Sequence, residues 1–253
     1  MVSPINGFIA SYYLQVKRFW RSKSRVIGSI VQPVFWMIFF GIGFTKSVRL
    51  IGPAVSYIDF LIPGVILMTI FTASFMGGMS VIWDKEFGFM KVVLVSPAPR
   101  KMSLLGRIMG DATIALFQGL IISLVAYPLT SNLNYLAIPI VLGVAFLVSI
   151  SVSSIGITIA SKMRSFEGFG LIVNLISMPL TFASGVFFPI DTMPDWMKII
   201  AYISPLTYGA DIARSLMLGI SSMDIMTDIF ALSILTIMFV SMALIIFEKT
   251  TIE

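Results

Sequence analysis

Long runs of apolar residues alternate with short polar segments along this chain. A membrane span needs about 20 apolar residues without charges, and six stretches meet this requirement: residues 26–44, 60–83, 112–130, 136–161, 169–190 and 229–247. Each backbone amide in hydrocarbon must be hydrogen-bonded within its own segment, so runs of this length form helices; barrel strands would show short alternating segments. The pattern predicts an all-α integral membrane protein, with six transmembrane helices between residues 26 and 247.

The composition agrees with a chain that lies mostly in lipid. Hydrophobic residues make up 58% of the sequence and charged residues 11%, against about 25% charged residues in soluble domains. Cysteine and histidine are absent, which excludes disulfides, thiol catalysis and a Ser-His-Asp triad. Without these residues, and with no cluster of carboxylates at ligand spacing, we expect no catalytic residue and no metal site.

The basic residues predict the orientation, because Lys and Arg near span ends stay on the cytoplasmic side. With the N-terminus inside, 13 of the 17 basic residues lie inside: Lys17, Arg18, Arg21, Lys23, Arg25, Lys85, Lys91, Arg100, Lys101, Arg107, Lys162, Arg164 and Lys249. We therefore expect a multi-pass protein of the cell membrane with both termini cytoplasmic. This sorting also accounts for the pI near 9.5, so no nucleic-acid partner is expected.

Residues 1–25 precede the first span. Ile5, Ile9, Tyr12, Val16, Phe19 and Trp20 fall on one side at helical spacing, a pattern typical of a helix at a membrane surface. We expect an interfacial helix here; the alternative is an N-terminal tail with some helical tendency. The first apolar run, at 26–44, lacks a small-residue cleavage pattern behind it and is interpreted as a retained helix.

The cytoplasmic loop between the second and third spans covers residues 84–107. Phe87, Met90 and Leu94 have helical spacing, and the run Ser96–Pro99 would end such a helix. The sequence therefore favours a short helix in this loop.

The outer loop, residues 191–228, is too polar to span the membrane. Pro194 and Pro205 can each open a short helix, because proline is tolerated in the first turn. Asp211 and Arg214 are three apart and can pair on one helix face. We expect two short helices that lie on the outer leaflet or dip into it.

Polar and small residues inside the spans favour helix packing. Ala145, Ser149, Ser153 and Ser161 of the fourth span are four or eight apart, a spacing that allows helices to approach closely. We prefer this interpretation to a polar pore lining. Asn174 and Pro179 of the fifth span could border a substrate path, although ordinary membrane helices also use such residues.

The six spans contain no Asp, Glu, Lys or Arg. An ion-coupled carrier generally needs ionisable groups near the bilayer midplane, whereas Asp59 and Asp111 stand at span edges, where we expect water or headgroups to solvate them. The chain also lacks the Gly-x-x-x-x-Gly-Lys-Ser/Thr loop that holds ATP phosphates. A transporter of this kind would have to draw its energy from elsewhere or act as a passive leak.

Two stretches resemble the type-2 ABC transporter permease family, whose members include drug, lipid and polysaccharide exporters. The first is the cytoplasmic loop, with Asp84-Lys85-Glu86-Phe87-Gly88, Leu94-Val95-Ser96-Pro97, Arg100 and Leu105-Gly106-Arg107. The second follows the fifth span, with Ser184-Gly185-Val186-Phe187-Phe188-Pro189, Met193-Pro194, Trp196, Ser204-Pro205-Leu206-Thr207-Tyr208 and Arg214. With the six-helix layout, the resemblance covers nearly the whole chain.

The resemblance implies a permease that works as a homodimer, or as a dimer with a similar permease, docked on two copies of a cytoplasmic ATPase that binds ATP and Mg²⁺. The loop after the second span would be the coupling element, with Glu86, Phe87, Met90, Leu94 and Arg100 at the ATPase. Asn174, Phe182 and Phe187 are candidates for the substrate path.

The substrate class implied is hydrophobic or amphipathic: a drug, a lipid or a lipid-linked saccharide. Two other classes stay open at this point. An ion-coupled secondary transporter would need an acid or base within the membrane, and a membrane scaffold or enzyme would not need a coupling loop.

Overall fold

The structure is a computed structural model that describes residues 4–43, 56–88, 99–130 and 132–250. These residues form ten α-helices joined by turns and short 3₁₀ segments, with no β-strand in the described part of the chain. The predicted all-α fold is confirmed.

The helices follow one another as α1 (Pro4–Arg21), α2 (Lys23–Trp36) with a π-helical continuation (Met37–Ile42), α3 (Tyr57–Gly77), α4 (Met79–Glu86), α5 (Arg100–Ala126), α6 (Ile138–Lys162), α7 (Phe166–Ala183), α8 (Asp195–Ile203), α9 (Pro205–Leu218) and α10 (Ile225–Thr250). The 3₁₀ segments are Tyr127–Leu129, Tyr135–Ala137 and Ile190–Thr192.

Five stretches are long and apolar enough to cross a membrane: Tyr57–Glu86, Arg100–Leu129, Tyr135–Lys162, Phe166–Ala183 and Ile225–Lys249. The pair α1 and α2 adds a sixth if it is taken as one bent span, with a bend of 72° between them. The chain is therefore a multi-pass membrane protein. A helix before the first span was expected, and α1 stands at a steep angle to the α2 segment that follows it.

The helix ends differ from the apolar runs in two places. Helix α7, in the predicted fifth span, ends at Ala183 and does not reach residue 190. The chain turns at Gly185, whose φ of 80° is readily adopted only by glycine. At the other side of the bundle, α4 continues to Glu86 and α5 begins at Arg100. Helices thus extend into the loop 84–107 from both of its ends.

The third helix lies at the centre of the bundle and packs against α5, α6 and α9. Ser74 and Ser149 are joined by a hydrogen bond of 2.6 Å between their Oγ atoms, and the Ser153 hydroxyl donates to the Ser74 carbonyl at 3.3 Å. A Cβ added to Gly78 would lie 2.4 Å from the Gly156 carbonyl oxygen. The small residues of the fourth span therefore serve close packing, as predicted.

The first helix lies directly against α5. A Cβ on Gly106 would meet the Phe8 carbonyl oxygen at 2.3 Å, so glycine is required for this crossing. The contact leaves Ile5 and Ile9 exposed, whereas Trp20, also exposed in part, packs its ring against Phe117 of α5 with 4.9 Å between the ring centroids. The side that the interfacial-helix prediction assigns to the membrane surface is thus exposed only in part, because Phe19 is buried and the Tyr12 hydroxyl donates to Thr113 of α5 at 3.3 Å.

Hydrogen bonds show which connections between helices lie together at each of the two ends of the bundle. The Asn132 amide donates to Asp59 at 3.3 Å, and the Asn134 N–H donates to the Met217 carbonyl at 2.9 Å. This end, called the outer end, joins the start of α3, the α5–α6 connection and the end of α9. At the opposite, inner end the Lys85 ammonium donates to carbonyls at the C-terminus of α6, including that of Ala160 at 3.2 Å.

The predicted topology can be tested with single cysteines, since the chain has none of its own. Arg164 follows α6 at the inner end and Ser221 precedes α10 at the outer end, and both are exposed. We expect Arg164→Cys to react with an impermeant thiol reagent only after cells are permeabilised, and Ser221→Cys to react in intact cells. The parent chain controls for background labelling, and labelling of both positions in intact cells would contradict the topology.

Candidate functional site

The predicted coupling residues lie at the inner end, on both sides of one connection. Glu86 is the last residue of α4 and is exposed, and Phe87 follows it with 80% of its side chain exposed. Arg100 opens α5 and is partly exposed. Met90 and Leu94, and the helix expected around them, lie outside the described residues. The structure thus leaves an acidic and an aromatic side chain accessible at this end, and their role in coupling stays a prediction.

An ionic cluster lies immediately before these residues. Asp84 is 1% exposed and accepts hydrogen bonds from the Arg18 guanidinium, at 2.7 Å, and from that of the buried Arg107. The three side chains come from α4, α1 and α5. The sequence placed Asp84 and Arg107 in a cytoplasmic loop, but here both are part of the helix packing. They fix the end of α4 against two other helices.

A second polar layer continues this cluster into the bundle. The Gln15 amide donates to the Ser80 hydroxyl at 2.8 Å and to Asp111 at 2.9 Å, and the Ser153 hydroxyl donates to Asp111 at 3.3 Å. Asp111 is therefore buried among three helices, so the expectation that water or headgroups solvate it is wrong. Asp59 at the outer end is likewise buried, at 1% exposure.

We call these seven residues the inner polar network: Gln15, Arg18, Ser80, Asp84, Arg107, Asp111 and Ser153. Sequence analysis missed it, because its hydrogen bonds join residues far apart in the chain. One signal was available: Gln15 and Arg18 have a spacing that places both on the side of Phe19, which is buried.

An aromatic cluster lies near the outer end and includes two of the three predicted path residues. Phe187 is 1% exposed, and its ring centroid lies 5.1 Å from that of Phe182, 4.9 Å from that of Phe40 and 6.2 Å from that of Trp36. The Tyr57 hydroxyl donates to the Phe187 carbonyl at 3.2 Å. The cluster therefore joins the first span to the turn after the fifth.

Asn174, the third predicted path residue, is not in this cluster. Its side chain is exposed on α7, on the same surface as Leu171, Leu175 and Met178. This surface faces away from the protein in the single chain. Asn174 can therefore reach a substrate only along that outward face of α7.

The two short helices predicted after the fifth span are α8 and α9, and one arginine anchors the second of them. Arg214 is buried, donates to the Gly185 carbonyl at 2.7 Å and stands 3.8 Å from the centre of the Phe60 ring. Burial lowers the pKa of Arg214 to about 10, while the charge of Asp211 opposes this shift, so Arg214 stays protonated at neutral pH.

Asp211 contributes to the same anchor. Its carboxylate lies 3.9 Å from Arg214 and accepts from the backbone N–H groups of Ser222, at 3.0 Å, and Met223, at 2.9 Å. The predicted Asp211–Arg214 pair is present. Its main effect is to hold α9 against α3, the Gly185 turn and the start of α10.

The chain is similar to proteins of one known family. The family model described as "ABC-2 type transporter" matches residues 7–218. A protein described as a transport permease, ycf38, from Pyropia yezoensis is 30% identical over 234 residues, covering 85% of this chain and 74% of its own length.

Two bacterial proteins are similar over most of their length. The inner membrane transport permease YadH of Escherichia coli is 25% identical over 244 residues, which cover 90% of this chain and 92% of YadH. Nodulation protein J of Rhizobium leguminosarum bv. trifolii is 26% identical over 211 residues, which cover 83% of this chain and 80% of that protein.

The ionic cluster predicts the effect of removing its negative charge. Asp84→Asn leaves the buried Arg107 without a paired charge, and breaking a buried pair in this way typically costs about 3–5 kcal/mol. We expect a clearly lower thermal midpoint for the purified protein in detergent. Asp191→Asn changes an exposed carboxylate and should leave the midpoint unchanged.

A second variant separates charge burial from other effects of the substitution. Combining Asp84→Asn with Arg107→Met removes Asp84 and its buried partner, leaves only the more exposed Arg18 charged, and should recover part of the lost stability. An Asp84→Asn protein that melts like the parent would show that the cluster does not hold these helices together.

Proposed function

This chain belongs to the ABC-2 type transporter family as a transport permease subunit, and from that premise we propose that it exports a hydrophobic or amphipathic substrate across the cell membrane. The observation that supports the proposal is the arrangement of side chains at the inner end of the bundle. There, accessible Glu86 and Phe87 lie two and three residues after Asp84, which is fixed to two other helices. This arrangement suits a permease that is moved by a separate motor.

The motor we propose is a cytoplasmic ABC ATPase, present in two copies, which binds ATP and Mg²⁺. Two features support a separate motor: the family itself, and a sequence without a phosphate-binding loop. Phe87 is the apolar contact that the structure leaves most exposed at this end. Together with Met90 and Leu94 it would fill a groove of the ATPase, while the charges of Glu86 and Arg100 fix the register.

The inner polar network can transmit a displacement at this contact to the membrane-spanning helices. A force on Glu86 and Phe87 reaches Asp84 after less than one helical turn. Because Asp84 is bonded to Arg18 and Arg107, α4 cannot move without α1 and α5. A displacement at the ATPase therefore moves three helices together.

The substrate path would form between two copies of the permease, either identical or similar. A six-helix subunit alone makes a poor wall around a large substrate, and two-fold pairing supplies the other half. The outward face of α7 carries Asn174 among Leu171, Leu175 and Met178, so it suits a path for apolar or amphipathic molecules such as drugs, lipids or lipid-linked saccharides. Phe182, near the outer end of α7, would form its constriction, with the buried Phe187 stacked behind it at 5.1 Å between ring centroids.

Placement in the cell membrane is supported by YadH, which is described as an inner membrane permease. The predicted topology then directs transport outward from the side that holds the ATPase.

A second candidate function, ion-coupled secondary transport, has one observation in its favour. Asp111 is an ionisable group buried inside the bundle, and such groups often carry protons or ions through membranes. Its hydrogen bonds to Gln15 and Ser153 favour a structural role instead, because they tie it to helix packing.

The energy source distinguishes the two functions. In vesicles that contain the permease and its ATPase, we expect transport to require ATP hydrolysis and to continue after ionophores collapse the proton and sodium gradients. A vesicle set without ATP gives the baseline. Transport that stops on addition of ionophores, with ATP still present, would support the carrier instead.

The coupling element can be tested by replacing an exposed apolar residue with aspartate, once at the inner end and once, as a control, at the outer end. Phe87→Asp places a charge in the proposed ATPase groove, where an anchor residue commonly contributes about 2 kcal/mol, so we expect roughly thirtyfold weaker binding of the ATPase. Leu136→Asp changes a residue that is 90% exposed at the outer end and serves as the control. Pull-down of the ATPase and its substrate-stimulated hydrolysis are the measurements.

Two further variants refine this test. Glu86→Ala should lower transport while the permease still inserts and folds, and Leu94→Asp should act like Phe87→Asp. If all three inner-end variants bind the ATPase and transport like the parent, this connection is not the coupling element.

A further inference from the structure

A carboxyl group without a hydrogen-bond donor is buried at the start of α10. Asp228, in the first turn of this helix, has 0% of its surface exposed, and neither of its side-chain oxygens accepts a hydrogen bond from a described residue. An ionised carboxylate in such surroundings costs far more free energy than a neutral carboxyl group. The proposed export function does not use this residue.

The side chain that Asp228 meets is a second carboxylate. It lies within hydrogen-bonding reach of Asp211 on α9, which is 1% exposed. Asp211 accepts from the backbone N–H groups of Ser222 and Met223 and lies 3.9 Å from the guanidinium of Arg214, so Asp211 is the ionised member of the pair. Two buried carboxyl groups in contact cannot both be ionised and share one proton instead.

The charges on α9 leave room for one proton. Asp211 balances Arg214, which is protonated at neutral pH, so an ionised Asp228 would be an excess negative charge. Tyr208, the other titratable group of α9 near this pair, offers it no hydrogen, because its hydroxyl donates to the Tyr202 carbonyl at 2.7 Å. Burial and, next, the charge of Asp228 raise the pKa of Tyr208, so this hydroxyl stays neutral.

The other elements around the start of α10 bring no second cation among the described residues. Helix α10 also packs against α6 and α5. The charged residue of α6 is Lys162, at its inner end, and those of α5 lie between Arg100 and Asp111, in its inner half. The segment before α10 contributes Asp224, an exposed carboxylate whose charge also opposes ionisation of Asp228.

We propose that Asp211 and Asp228 form a proton-binding site at the outer end of the bundle, in which the Asp228 hydroxyl donates a hydrogen bond to the Asp211 carboxylate. This bond links the first turn of α10 to the anchor that Arg214 makes with the Gly185 turn. The site is independent of the energy source and the substrate of transport.

Such a site makes the stability of the outer end depend on pH. The folded pair keeps its proton, whereas both carboxyl groups of the unfolded chain are ionised above about pH 4. Folding therefore binds a proton, and the contribution to stability is complete below about pH 4 and is lost progressively as the pH rises, until the folded pair itself is deprotonated. Within that window each pH unit lowers the folding equilibrium constant about tenfold.

Infrared spectroscopy of the full-length permease in detergent can detect the proton, because a protonated carboxyl group has a C=O stretching band apart from those of carboxylates and amides. Near neutral pH we expect this band in the parent and its loss in Asp228→Asn. Asp211→Asn should also lose it, since the new amide can donate to Asp228 and Arg214 then balances the ionised Asp228. Asp224→Asn, at the exposed acid one turn earlier, is the control and should keep the band.

The thermal midpoint gives a second readout. Asp228→Asn keeps a donor for Asp211 but has no proton to lose. We expect its midpoint to rise relative to that of the parent by at least about 3 °C between about pH 5 and about pH 8, since a tenfold change in the folding constant shifts the midpoint of a chain of this size by about that amount. Asp224→Asn should follow the parent across this range.

The outcomes are separate from those for the proposed function, because neither measurement needs the ATPase or a substrate. A parent without the band, or a band that persists in both Asp228→Asn and Asp211→Asn, would overturn the proton site and leave ATP-driven export intact. A midpoint difference between the parent and Asp228→Asn that is constant with pH would also overturn it. If one of the two variants fails to fold, the other decides whether the band belongs to this pair.

Discussion

Helices in hydrocarbon gain little by covering each other's apolar side chains, because lipid tails are equally apolar. This bundle is therefore held together where backbones come very close and where polar groups meet. Both occur on α3, through the Ser74–Ser149 hydrogen bond and the contact of Gly78 with Gly156. Three helices, α5, α6 and α9, pack directly on this central element, while α1 packs on α5 and α10 packs on α6 and α9.

Each end of the bundle is fixed by a buried charge with partners from several helices. At the inner end Asp84 joins α1, α4 and α5, and at the outer end Arg214 joins α9 to α3 and to the Gly185 turn. Such contacts add little net stability, since burying a charge is costly, but their geometry is strict. They define the positions of the two ends, and the aromatic cluster lies between them.

The sequence predicted the helices well, since a charge-free apolar run leaves a membrane segment few alternatives to an α-helix. It also predicted the two helices after the fifth span and the pairing of Asp211 with Arg214. It did not predict the surroundings of Asp111 and Asp84, because their partners on α1 are 96 and 66 residues away. Periodicity shows which side of a helix is apolar, but it does not show which distant helix covers a polar residue. For the same reason the path candidates Asn174 and Phe187 are separated in the structure, where Asn174 is exposed on α7 and Phe187 is buried in the aromatic cluster.

The burial of Arg214 also restricts the order in which the chain can assemble during synthesis. Its partners Phe60 and Gly185 both precede it in the sequence, so they have already left the ribosome when α9 emerges. The guanidinium can then pass from water to its final contacts without a period in lipid, which would be costly. Synthesis from the N-terminus thus matches the sequence of steps that this anchor requires, and α10 closes the bundle last. A circularly permuted chain that presented α9 before α3 would have to hold this charge unpaired until the rest was made.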